Sequence, residues 1–79
     1  MLVTVKLYGT LGNRFPGYVH SEGIEVTIPD GGKVKDLLSA LKIPEALGAM
    51  VSMDNRILKP EDILRQDSCV NVLQPLSGG

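Results

Sequence analysis

Cysteine and histidine are scarce in this sequence of 79 residues: there is one of each, Cys69 and His20. A single cysteine excludes an internal disulfide framework. A small secreted domain usually needs such staples, so a reducing, cytoplasmic setting is expected. One cysteine and one histidine also fall short of the ligand count of an ordinary zinc site, and no metal is expected. Runs of like charge are missing too: eight basic and nine acidic side chains leave a formal net charge of −1. A general nucleic-acid binder uses a basic face to neutralise phosphates, so no nucleic-acid partner is expected. No apolar stretch is long enough to cross a bilayer. The opening Met1 to Lys6 lacks the basic segment and apolar run of a signal peptide. No membrane partner is expected.

What is present is globular: 43 % of the residues are apolar and 22 % charged. The length allows one domain, residues 1–79, monomeric when alone. A chain this short buries only roughly 60–65 % of its unfolded surface, too little for a two-lobed active site.

Apolar residues alternate over residues 2–8, with Val3, Val5 and Leu7 on one face, which predicts a strand buried on one side. Gly9 to Gly23 shows no sustained period and reads as a long connection with a helical turn near Leu11 to Phe15. Residues 24–28 alternate again. Val34, Leu37, Leu38 and Leu41 then fall at helical spacing, with Asp30 or a nearby glycine as the cap and Pro44 as the stop. Ala49 to Met53 and Arg56 to Leu58 read as strands around an Asp54-Asn55 turn. Glu61 to Leu64 reads as a helical turn, and Cys69 to Gln74 as the last strand, closed by Pro75. Strands one and two form an antiparallel pair, and the last strand lies beside the first. The expected fold is α+β: a mixed four- to five-stranded sheet packed on one main helix.

The catalytic inventory is thin. His20 reads as a solvated loop residue, and Cys69 as a half-buried packing residue rather than a nucleophile. Gly31-Gly32-Lys33 lacks the rest of a phosphate loop and reads as a strand-to-helix turn. Gly9-Thr10-Leu11-Gly12 has the spacing of a nucleic-acid clamp without its basic surroundings. Glu61 and Asp62 are adjacent, so they cannot share a helix face as an acid/base pair. Met50 and Met53 read as core filler.

The sequence ends Pro75-Leu76-Ser77-Gly78-Gly79. Glycines bury nothing and lose more backbone entropy than other residues when ordered. Residues 75–79 therefore read as a flexible tail. Two residues without Cβ make a narrow end that can thread into a partner's active site and present the Gly79 carboxylate. A carboxylate is a poor electrophile, so another enzyme must activate it.

Three features together resemble the sulfur-carrier branch of the ubiquitin-like β-grasp proteins, the MoaD/ThiS family. These are Val-Lys-Leu-Tyr at 5–8, the helix pattern Val34-Lys35-Asp36-Leu37-Leu38 after two strands, and the closing strand, proline and Gly78-Gly79. The resemblance covers the whole chain and implies a ubiquitin-like β-grasp. It also implies that an E1-like adenylating enzyme uses ATP to convert the Gly79 carboxylate to an acyl-adenylate. A sulfur donor then replaces the adenylate and leaves a thiocarboxylate. The acceptor is a pterin precursor, with the molybdopterin synthase large subunit as partner, or the thiazole-forming reaction of thiamin synthesis, with thiazole synthase. The long Gly9–Gly23 segment resembles the molybdopterin type more than the compact thiamin type. Gly79 would carry the sulfur, and Gly78 and Ser77 would permit insertion. No cofactor is bound, and the chain is not itself an enzyme. Tyr8 and Leu73, on the outer sheet face, and Leu76 near the tail are the expected docking residues. The alternative is a ubiquitin-like modifier, whose activated Gly79 is attacked by a lysine amine; a third reading is an interaction domain with an incidental tail.

Overall fold

The structure, a computed structural model, describes residues 1–44 and 47–74. Strand β1 (Leu2–Leu7) leads through a 3-10 helix (Gly9–Arg14) to β2 (Ile24–Thr27) and helix α1 (Val34–Ala40). Strands β3 (Met50–Met53), β4 (Arg56–Leu58) and β5 (Ser68–Leu73) follow. The sheet order is β2-β1-β5-β3-β4. β1 and β5 run parallel at its centre, and every other pairing is antiparallel.

The alternation read from the sequence sets the inner face. Val3, Val5, Leu7, Val70 and Val72 are each no more than 2 % exposed. Val34, Leu37 and Leu41 of the helical stripe join them in the core, together with Val51 from β3. Ile24 and Val26 are only half-buried, because β2 is an edge strand with one neighbour. Among the described residues no polar or charged residue is buried.

Both ends of α1 differ from expectation. The Lys33 N–H donates to Asp36 Oδ2 at 2.8 Å, so the carboxylate three residues on, rather than Asp30, closes the first turn. Asp30 faces the Met1 ammonium instead, at 3.2 Å. The helix stops at Ala40, ahead of Pro44. Lys42 takes a left-handed φ of 58°, its N–H donates to Ser39 O, and the Ile43 N–H donates to Leu38 O. This is the two-bond stop that glycine usually supplies.

Three further segments differ from the sequence expectation. Glu61 to Leu64 is no helical turn. A turn over Lys59 to Asp62, closed by Asp62 N–H to Lys59 O, leads into Ile63, which bridges to Lys33 beside the helix start. Glu61 there accepts from Lys33 and Lys35 at 2.8 and 3.0 Å. Hydrogen bonds from Lys33 and then Lys35 lower its pKa, and the same bond raises that of Lys33. In Gly9 to Gly23 the helical turn expected near Leu11 to Phe15 is present as a 3-10 helix, but it starts two residues earlier, at Gly9, and buries Leu11 completely. The segment returns to the sheet at Gly23, where φ is +74° and a Cβ would stand 2.8 Å from the Val5 carbonyl oxygen, so no other residue fits. The last strand begins at Ser68 and ends at Leu73. Asp54 and Asn55 form the expected tight turn with φ of 53° and 65°.

The strained Lys42 gives a direct test. Lys42→Gly should raise unfolding stability by about 0.5–1 kcal/mol, measured by chemical denaturation, because glycine takes this conformation without a steric cost.

Candidate functional site

Strand register places the outer-face residues. Tyr8 extends β1 by one residue, with φ −115° and ψ 158°, and its N–H donates to Val72 O at 3.0 Å. Leu7 is level with Val72, so Tyr8 stands beside Leu73, and Leu73 is paired with Met50 on the other side. Tyr8, Leu73 and Met50 thus form a row across three strands at the end where β5 finishes. Tyr8 is 37 % exposed and Met50 38 %, with Leu73 half-buried between them. The next row runs Lys6, Asn71, Ser52 and Ile57, the last 56 % exposed. Lys6 and Glu25 are the only charged residues the strands place on this face. Charge depletion around exposed aromatic and methionine side chains is the composition of an interface core.

Two residues read from sequence as packing fillers belong here instead. Met50 is not core filler, because its neighbour Val51 takes the buried side of β3. Cys69 is exposed rather than half-buried, because Val70 takes the inner side of β5. Met53 does pack against the core. Leu2 lies half-buried on the outer face, its N–H donating to Gln66 Oε1.

The sequence gives no sign of what holds Tyr8. β2 pairs with β1 only as far as Val5, which leaves the Leu7 peptide without a strand partner on that side. The Tyr18 hydroxyl takes its place: it accepts from the Leu7 N–H at 2.7 Å and lies 3.2 Å from the Leu7 carbonyl oxygen. His20 Nδ1 lies 3.0 Å from that hydroxyl and 3.2 Å from the same carbonyl. His20 is exposed, as the loop reading expects, but it is held. Its ring meets the Tyr8 ring edge-on, with centroids 4.8 Å apart and planes at 82°. The Tyr8 hydroxyl reaches Asn71 Oδ1 at 3.4 Å. A Cβ on Gly12 would stand 3.0 Å from the Tyr18 ring, so glycine lets the 3-10 helix pass close to this cluster without moving that ring.

Of the site residues read from sequence, Tyr8 and Leu73 are adjacent on the outer face. Leu76, Ser77, Gly78 and Gly79 lie outside the described residues. The last described residue is Gln74, whose Oε1 accepts from the Thr10 hydroxyl at 3.0 Å. Among the described residues no three His, Cys, Asp or Glu side chains gather as a metal site. No helix among them is long and apolar enough to cross a membrane.

No protein-family model matches the chain, and no curated protein matches it. Among solved structures the chain is similar to the crystal structure of SAMP1 from Haloferax volcanii, a ubiquitin-like small archaeal modifier protein. The TM-score is 0.71 and the identity 18 %, over the whole of both chains. The fold is a ubiquitin-like β-grasp.

Tyr18→Phe tests the hydroxyl that completes β1. It should cost about 1–2 kcal/mol in chemical denaturation, because the buried Leu7 peptide loses its partner. Exchange of the Leu7 amide hydrogen should quicken at the same time.

Proposed function

We propose that this chain is a sulfur carrier whose Gly79 carboxylate is activated by a partner and loaded with sulfur for cofactor synthesis, molybdopterin synthesis first among the pathways. One observation carries the reading. The exposed, uncharged row Tyr8–Leu73–Met50 stands at the end of the central strand β5, from which the sequence continues to Gly78-Gly79. A partner seated on that row covers the end of the strand that precedes the Gly78-Gly79 ending in sequence. The likeness to a ubiquitin-like protein over the full length supports the same reading.

The chemistry is acyl activation. A Gly79 carboxylate oxygen attacks the α-phosphorus of ATP and pyrophosphate leaves. Hydrosulfide released by the donor then adds through sulfur to the acyl carbon, AMP leaves with the electron pair of the C–O bond, and the S–H proton is lost to solvent. The product is a thiocarboxylate, a soft nucleophile for the acceptor. In this reading an E1-like adenylating enzyme, a sulfur donor and the molybdopterin synthase large subunit or thiazole synthase supply the catalytic groups. The chain supplies Gly79, with Gly78 and Ser77 as a narrow approach and Tyr8, Leu73 and Leu76 as contacts.

A second reading is favoured by the likeness to SAMP1, a modifier protein. There the same activated Gly79 is attacked by a lysine amine of a target, which forms an isopeptide bond as AMP leaves. Both readings share the activation step and divide at the nucleophile.

Intact-mass analysis after incubation with ATP, the adenylating enzyme and sulfide separates them. The carrier gains the mass difference between sulfur and oxygen, and a chain lacking Gly79 gains nothing. Isopeptide-linked conjugates in cell extract, without that mass gain, would support the modifier. No change under either condition would refute both. The docking row is tested by Leu73→Glu, which should weaken binding to the adenylating enzyme about tenfold or more while leaving the thermal midpoint nearly unchanged. Unchanged affinity would remove Leu73 from the interface.

A further inference from the structure

The contacts around His20 have no role in the reading so far. On the docking face proposed above, we propose that His20 is a positioning residue: it fixes the Tyr8 ring in its docking orientation before any partner arrives. Three observations carry this.

The first is anchorage. His20 Nδ1 is 3.2 Å from the Leu7 carbonyl oxygen and 3.0 Å from the Tyr18 hydroxyl. Tyr18 is in turn bound to the Leu7 N–H of the central strand pair at 2.7 Å. An exposed imidazole is thereby tied to the backbone of a central strand.

The second is the direction of the contact. The imidazole meets the Tyr8 ring edge-on at 4.8 Å, inside the range of favourable aromatic pairs. Tyr8 is also restrained at its far end by Asn71, but only through a 3.4 Å contact in the open. The His20 ring is the firmer of the two restraints.

The third is the space beside it. A cleft of about 320 Å³ is lined by Tyr8, Gly9, Gly12, Asn13, Tyr18 and His20. Two of these residues are glycines, which leave room. Without the imidazole edge, the Tyr8 ring gains a set of orientations over this cleft, away from Leu73. Ordering one rotamer-rich side chain on binding costs about as much as a two- to tenfold change in affinity. His20 removes that cost in advance.

The test is a double-mutant cycle with two readouts. His20→Asn keeps a polar group able to reach Leu7 and Tyr18 but removes the ring; His20→Phe keeps the ring. In the free chain, side-chain couplings and ¹³C relaxation should show Tyr8 settling in one χ1 state in the wild type, averaging in His20→Asn, which lacks the ring, and lying between the two in His20→Phe, which keeps the ring but loses the Nδ1 contacts. Against the adenylating enzyme, His20→Asn should weaken binding by about two- to tenfold, and His20→Phe should weaken it less. In the Tyr8→Ala background, His20→Asn should change nothing further. An unaltered Tyr8 χ1 distribution in His20→Asn, or a loss that persists in Tyr8→Ala, overturns the positioning role. If Tyr8→Ala alone leaves affinity unchanged, it is the docking face that fails, and the χ1 measurement still decides whether His20 orders Tyr8.

Discussion

The parallel pairing of β1 with β5 is the constraint on which the rest of the molecule depends. The two strands stand more than sixty positions apart in sequence; β2 is added to one and β3 to the other, and β4 is added to β3. Their inward residues, Val3, Val5, Leu7, Val70 and Val72, are covered almost completely. Burial of branched apolar side chains on one face is what sets this register. A shift of one residue would turn those valines to solvent and bring Thr4, Lys6, Cys69 and Asn71 into the core. Parallel strands need a crossover, and the segment that holds β2, α1, β3 and β4 supplies it.

That one-sided burial divides the molecule into a face that holds the fold and a face free for other use. Among the described residues, all thirteen buried apolar ones belong to one cluster. The polar chemistry of the helix side is local: Lys33 with Asp36, Lys33 and Lys35 with Glu61, and the backbone bonds that stop α1 at Lys42. None of it extends to the outer sheet face, where tyrosine, leucine, methionine and isoleucine stand among neutral polar residues. Apolar side chains that contribute nothing to the core are retained there with Lys6 and Glu25 as the charged residues the strands add, which fits a surface that meets another protein.

Much of this was legible in the sequence wherever a period was long enough to read. The alternations in β1 and β5 gave their inner faces, and the spacing of Val34, Leu37, Leu38 and Leu41 gave the helical stripe. Tyr8 and Leu73 were placed on the outer face by parity alone. The failures have physical reasons. Lys42 ends the helix from a conformation that sequence assigns to glycine, so Pro44 was credited instead. The turn before Ile63 is made by tertiary contact with Lys33 rather than by local propensity. Met50 and Cys69 were assigned by residue type, although alternation around Val51 and Val70 already put them outside. Tyr18 and His20 carried no pattern at all. Their role exists only because β2 stops short of Leu7, and that is a fact about two strands rather than about the loop.

The central claim is that a partner activates the Gly79 carboxylate while seated on the row Tyr8–Leu73–Met50. Exchange of labelled pyrophosphate into ATP by the adenylating enzyme reports the first chemical step alone, before sulfur or a lysine enters. The account predicts exchange that depends on this chain, disappears when Gly78 and Gly79 are removed, and needs a higher chain concentration when the row carries a charge. Exchange that persists at full rate without the two glycines would contradict it.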